Sequence, residues 1–133
     1  MAVRRTAVNP VTWSAAMGFN QGEIVSGHTR TLYCSGQTAT SAEGTPQHDG
    51  DMGAQLALSL DNLEAVLGAA DMSLANLIRL TVYTTDVDHL FQHYGVLAAK
   101  LGAAQAAPPT TLLGVTRLAL PTLMVELEAT AVA

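Results

Sequence analysis

The stretch LIRLTVYTTDVDHLFQHYGVLAAKL, residues 77–101, decides the fold. Its first ten residues, 77–86, are rich in β-branched and aromatic side chains and read as a strand. From Asp86 the period changes. Leu90, Tyr94, Leu97 and Leu101 recur at spacings of three and four, the apolar stripe of a helix that Asp86 can cap. Working back towards the N-terminus, Met52, Leu56, Leu60, Leu63 and Leu67 give a second such stripe over 51–67. Asp49 and Asp51 lie near its start, where the helix dipole favours acids, and Gly68 lies near its end.

The segment SAEGTPQHDG, 41–50, is a loop by composition, and TRTLYCSGQTA, 29–39, before it reads as a strand. Residues 1–17 show no clear period and are expected to form an irregular arm. Beyond the second helix, GAAQAAPP is a loop. TTLLGVTRL and LMVELEATAV are then two final strands, with Pro121 in the short connection. The order is strands, helix, strand, helix, two strands. That order predicts a two-layer α+β domain spanning 1–133, with the helices on one face of the sheet.

Composition narrows the function. Charged residues make up 13% of the chain, where soluble domains average roughly 25%. So little charge predicts that some surface is covered by further copies of the chain. The net charge is −5 and the six basic residues are scattered, which argues against nucleic acid, whose binding rests on clustered Lys and Arg. The lone Cys34 allows no internal disulfide, as expected of a cytoplasmic protein. No run is long and apolar enough to span a bilayer, and Asn9-Pro10 and Asn20-Gln21 interrupt any apolar leader segment.

Few residues carry candidate chemistry. On the last strand, Glu126 and Glu128 share one face, about 7 Å apart, while Val125, Leu127 and Ala129 share the other. Either that face is simply wet, or one glutamate lines a pocket and holds a water or an ammonium-like group. Ser35-Gly36-Gln37 ends a strand. It is either a plain turn or a place where the glycine lets a ligand or another backbone approach. Cys34 points away from Ser35 and is assigned to packing. His89 and His93 have a zinc-compatible i, i+4 spacing, but they lie off the apolar stripe with no third ligand nearby. They read as solvated, and no metal site is expected.

Five stretches together point further: LYCSGQ at 32–37, the helix D-x-x-x-Q-x-x-x-S-L-D-N-L-E-A-V-L at 51–67, L-x-x-L-I-R-L-T-V-Y-T-T-D at 74–86, P-P-T-T-L-L-G-V at 108–115 and V-E-L-E-A-T-A-V at 125–132. In this order, over nearly the whole chain from about residue 18, they resemble the RidA family, also called YjgF or L-PSP endoribonuclease. The resemblance implies a chorismate-mutase-like α+β fold, a mixed sheet with two helices on one face. It implies a homotrimer with small-molecule pockets between subunits. It also implies cofactor-free hydrolysis of reactive 2-imino acids or enamines to 2-keto acids and ammonia.

The same resemblance places the pocket at Phe19, Ser35, Gly36, Tyr94, Thr110, Thr111 and Glu126. Glu126 matches the residue that positions the attacking water. Thr110 stands where the family carries a carboxylate-binding arginine, whose planar fork suits that task. Phe19 stands for a tyrosine, and Tyr94 for an asparagine often found there. Arg117, seven residues along an extended strand and on its opposite face, is not placed to replace an arginine at 110. Thr110 and Thr111 together are expected to offer hydroxyl bonds to a neutral or differently shaped ligand. Three alternatives stay open: deaminase activity with the substrate carboxylate held by backbone amides, a non-catalytic structural or partner-binding trimer, and, least favoured by the acidic chain, a nuclease.

Overall fold

The computed structural model describes residues 2–133. Strand β1 (Arg4–Val8) pairs antiparallel with β2 (Gly22–Ser26) as a two-stranded sheet. The expected irregular arm therefore contains a strand. Its side chains are exposed throughout, so no alternation of apolar and polar residues marked it in the sequence. Between the two strands, a short 3-10 turn (Trp13–Met17) ends at Gly18, whose φ of 83° is the left-handed conformation that glycine tolerates. Arg5 anchors this sheet to the rest of the chain. Its guanidinium meets the Glu23 carboxylate at 2.6 Å and donates to the carbonyls of Ala75 and Leu77.

The main sheet has four strands in the order β3 (Thr31–Tyr33), β6 (Val125–Val132), β4 (Leu77–Thr84), β5 (Thr110–Gly114). β6 runs antiparallel to both neighbours and β4 runs parallel to β5, so the sheet is mixed. Helix α1 (Met52–Ala69) is capped by the Asp51 carboxylate, which accepts from the Ala54 N–H at 3.0 Å. The second predicted helix is two: α2 (Val87–Gln92) and α3 (Tyr94–Ala103). The break falls at His93, with φ −117° and ψ 8°, where the periodicity of apolar residues gave no sign of it.

All three helices cover one face of the four-stranded sheet. Leu56, Leu60 and Leu63 of α1, Leu90 of α2 and Leu97 of α3 pack with Leu80 and Val82 of β4 and with Val125, Leu127 and Ala129 of β6. Side chains alternate across a strand, so Glu126, Glu128 and Thr130 point to the face away from the helices. Tyr33, paired with Thr130, shares that face and is 80% exposed. Strand β5 ends at Gly114. Arg117 therefore lies in a loop, not on an extended strand, and its guanidinium bonds the local carbonyls of Leu118 and Ala119. Among the described residues, no helix is long and apolar enough to cross a membrane.

Candidate functional site

The sequence-predicted residues form two groups on opposite sides of the sheet. The first is centred on Glu126. Backbone bonds between Gln37 and Leu127, 2.7 and 2.9 Å, bring the turn after β3 alongside β6. This lays Gly36 directly against the Glu126 side chain. The close approach that a glycine permits is used here by a carboxylate of the same chain. Ser35 is exposed beside it, and its carbonyl accepts from the Gln37 amide at 3.2 Å.

Glu126 is half-buried, and its pKa is raised above the ordinary carboxylate value. Burial is the larger cause and the charge of Glu128 the smaller. Glu128 is exposed and accepts a 3.1 Å hydrogen bond from the Tyr83 hydroxyl, which raises the Tyr83 pKa. The two glutamates thus differ in setting. One is partly desolvated with its carboxylate over a glycine, and the other is solvated and already bonded.

Two amides on α1 hold the segments that flank Glu126. Gln55 is fully buried. Its NH2 donates to the carbonyls of His48 and Thr122, and its carbonyl accepts from the Met124 N–H at 2.8 Å, just before β6 begins. Two turns later, Asn62 donates to the carbonyls of Thr38 and Thr40, at 2.8 and 3.0 Å, just after Gly36 and Gln37. Both residues stand in the sequence as polar positions beside an apolar helical stripe, a signal that sequence reading passed over.

The second group surrounds Thr110. Trp13, Met17, Phe19, Phe91, Tyr94 and Leu112 close with it around a cavity of about 130 Å³. The Asn20 N–H donates to the Ala107 carbonyl at 3.0 Å, which fixes the Phe19 segment beside the start of β5. Trp13 meets Phe19 edge-on at 5.7 Å, and Phe91 lies 5.8 Å from Tyr94. Burial raises the Tyr94 pKa. Trp13 and Phe91 were missed by sequence reading, since only the fold brings the 3-10 turn and α2 together.

Thr110 and Thr111, expected to offer their hydroxyls together, face opposite sides of the sheet within the chain. Thr110 pairs with Leu80, faces the helix layer and donates its hydroxyl to the Pro108 carbonyl at 2.8 Å. Thr111 faces the other way and accepts from the Arg79 guanidinium at 2.9 Å. Nor do the two groups converge within the chain. Thr110 lies two strands from β6, level with Ala129, three residues along from Glu126. That is roughly 14 Å between backbones, with the side chains on opposite faces.

Other candidates are accounted for by packing. Cys34 is buried in the core, and burial raises its thiol pKa. His89 and His93 are half-buried rather than solvated. Their rings lie 5.4 Å apart, and His93 packs on Gly53 of α1. No group of three metal-ligating side chains occurs among the described residues. Two larger surface concavities, of about 380 and 310 Å³, lie by the Glu64–Lys100 ion pair and by Arg5, and neither includes a sequence-predicted site residue.

Known proteins resemble this chain. Residues 11–133 match the family model described as endoribonuclease L-PSP. The RutC family protein YjgH of Escherichia coli K12 is 31% identical over 117 residues, 88% of either chain. The crystal structure of YyfB, a protein of the Rid family from Yersinia pestis, is 31% identical, covers 100% of both chains and superposes with a TM-score of 0.84. The structure of E. coli TdcF with bound serine is 29% identical, covers 86% of this chain and 87% of TdcF, and has a TM-score of 0.69.

Proposed function

The chain belongs to the endoribonuclease L-PSP family, the family of the Rid and YjgF proteins, and from this premise we propose that it binds and processes a small metabolite in a pocket completed between copies of itself. The contact between Glu126 and Gly36 carries this reading. It holds a partly desolvated carboxylate at the rim of the sheet, where it can accept a hydrogen bond from one water and aim it. The group at Thr110 is too far away to join it within one chain. A neighbouring copy packed on the helix-free face, as in a trimer, brings the two groups together. The single cysteine fits a reducing compartment such as the cytoplasm.

The reaction that the family resemblance implies is hydrolysis of an imine or enamine. The water oxygen adds to the C=N carbon while Glu126 takes a proton from it and hands that proton to the nitrogen; the adduct's hydroxyl proton follows the same route as ammonia leaves. The resulting tetrahedral adduct collapses to a carbonyl and releases ammonia. One imine and one water thus give one carbonyl compound and one ammonia, with no change of oxidation state. Plain 2-imino acids are poor candidates for this chain. Thr110 stands where the resemblance places the carboxylate-binding arginine, and its hydroxyl proton is already given to Pro108. Losing a charged hydrogen bond of about 1.5–3 kcal/mol costs one to two orders of magnitude in affinity.

A second reading keeps 2-imino acids as substrates, with the carboxylate held by backbone amides. The serine bound by the TdcF relative speaks for it. A nuclease reading is weaker. Three of the six basic side chains, Arg5, Lys100 and Arg117, are tied to glutamates or to local carbonyls. The test is imine loss from 2-iminopropanoate and 2-iminobutanoate generated in situ, with the native chain, Thr110→Arg and Glu126→Ala. Gain of activity in Thr110→Arg alone supports an intact pocket with another natural ligand. Activity of the native chain that Glu126→Ala abolishes supports the second reading. Inactivity of all three leaves a non-catalytic assembly.

A further inference from the structure

We propose that the cavity at Thr110 is a subsite for an uncharged, ring-sized apolar group of the ligand. The inference rests on the reading that this chain binds a small molecule, and it specifies the chemistry of that molecule.

Three observations carry it. The lining holds no charged side chain: three aromatic rings other than Tyr94, two aliphatic or thioether side chains, and the hydroxyls of Tyr94 and Thr110. Thr110 has given its hydroxyl proton to the Pro108 carbonyl at 2.8 Å, so it meets a ligand as a methyl group and an acceptor. An anion placed there would lose its water and find no charged partner and at most one hydroxyl donor. An apolar group meets the opposite conditions.

Size and wall geometry agree with a ring. The cavity is about 130 Å³ and open on one side, slightly smaller than the enclosed apolar cavity of about 150 Å³ that holds benzene. Trp13 stands edge-on to Phe19, with their planes 83° apart, and Phe91 is tilted 45° to Tyr94. These walls present both ring faces and ring edges, and a further ring can continue the same offset and edge-on contacts. The walls also have ligand-accessible surface. Trp13 is 60% exposed and Phe91 47%. Covering them with an apolar group removes surface that the folded chain leaves in water.

Trp13 is the single tryptophan of the chain, so it reports on the cavity alone. Protein carrying 5-fluorotryptophan is titrated with benzyl alcohol as the neutral ring probe and with pyruvate as the small anion, and the 19F resonance is followed. Benzyl alcohol is expected to move it saturably and pyruvate to leave it in place. Thr110→Phe, which fills the cavity, and Phe91→Ser, which removes an exposed wall without touching the core, are each expected to weaken the ring probe by about tenfold, the effect of one lost ring contact area. A resonance that moves with pyruvate and not with benzyl alcohol overturns the proposal, as does ring binding unchanged in both cavity variants. If turnover dependent on Glu126 is found while the ring probe fails, only this subsite falls. If the ring probe binds and no substrate is turned over, the subsite stands and the catalytic reading falls.

Discussion

The Glu126 carboxylate occupies the space that a side chain at residue 36 would need: a Cβ on Gly36 would collide with Oε2 and lie 2.6 Å from Cδ and 2.9 Å from Cγ. No backbone atom is among these nearest neighbours, so the conflict falls entirely on one flexible side chain. Gly36→Ala should therefore be nearly neutral for the fold, within about 1 kcal/mol, because Glu126 can swing outwards into solvent. The same swing removes the carboxylate from its place over the glycine. We expect a loss of Glu126-dependent turnover approaching that of Glu126→Ala, with an almost unchanged melting temperature. A variant that melts early and keeps its activity would show that the contact serves packing alone.

The raised pKa of Glu126 has consequences of definite sign. The folded state holds this proton more tightly than the unfolded chain does. Stability therefore falls as pH rises from the ordinary carboxylate value through the raised folded one, and is flat beyond it. Glu126→Gln should flatten the native curve across that window and be at least as stable at neutral pH. If the ionised carboxylate orients water, turnover should fall in acid with a midpoint above the usual carboxylate range. Glu128→Gln should move that midpoint downwards without restoring the ordinary value, since burial is the larger cause and remains. Thermal melts and pH–rate profiles of the two variants check both statements. A midpoint unmoved by Glu128→Gln would mean that the neighbouring charge is screened out.

Gln55 and Asn62 are expected to matter for different reasons. Gln55→Leu keeps the volume but removes three hydrogen bonds and strands the Met124 N–H and the Thr122 carbonyl, while the His48 carbonyl keeps its bond from the Asp51 N–H. A loss of about 2–4 kcal/mol follows. Asn62→Ala removes two bonds from a half-buried site, one of them to the Thr38 carbonyl, which keeps its bond from the Thr40 N–H, and should cost about 1–2 kcal/mol. Its larger effect should be on the segment beyond Gly36. Amide exchange in residues 36–40 should quicken while the rest of the sheet keeps its protection. Uniform acceleration across the sheet would argue instead for a general loss of stability.

The sequence disclosed those parts of the molecule in which one face is apolar. The leucines of α1, and the alternation that places Glu126 opposite Val125 and Leu127, follow from burial, and burial leaves a period. Strand β1 leaves none, because it pairs along a wet edge, and its own tie to the rest of the chain is through the polar side chain of Arg5. The site was legible as separate residues and not as a site. Phe19, Tyr94 and Thr110 do meet, yet Trp13 and Phe91 complete their cavity from segments whose placement depends on tertiary contacts. Thr110 and Thr111 looked like a pair because they adjoin in sequence, and the pleat of β5 sends them to opposite faces.

The helix-free face bears on assembly. Tyr33 is 80% exposed on edge strand β3, on the same face as Glu126, Glu128 and Thr130. A large aromatic so placed is a natural anchor for a neighbouring copy. Tyr33→Glu adds a charge at that anchor and should shift sedimentation from an assembly to the single chain, with unchanged far-UV circular dichroism. If the site is completed between copies as proposed, turnover should vanish with the assembly, because Glu126 and the Thr110 cavity lie on opposite faces of one chain. Ring binding at Trp13 should survive in part, because the seven residues that line the cavity within one chain stay in place. Full turnover by a monomeric Tyr33→Glu chain would show instead that the Glu126 group works alone.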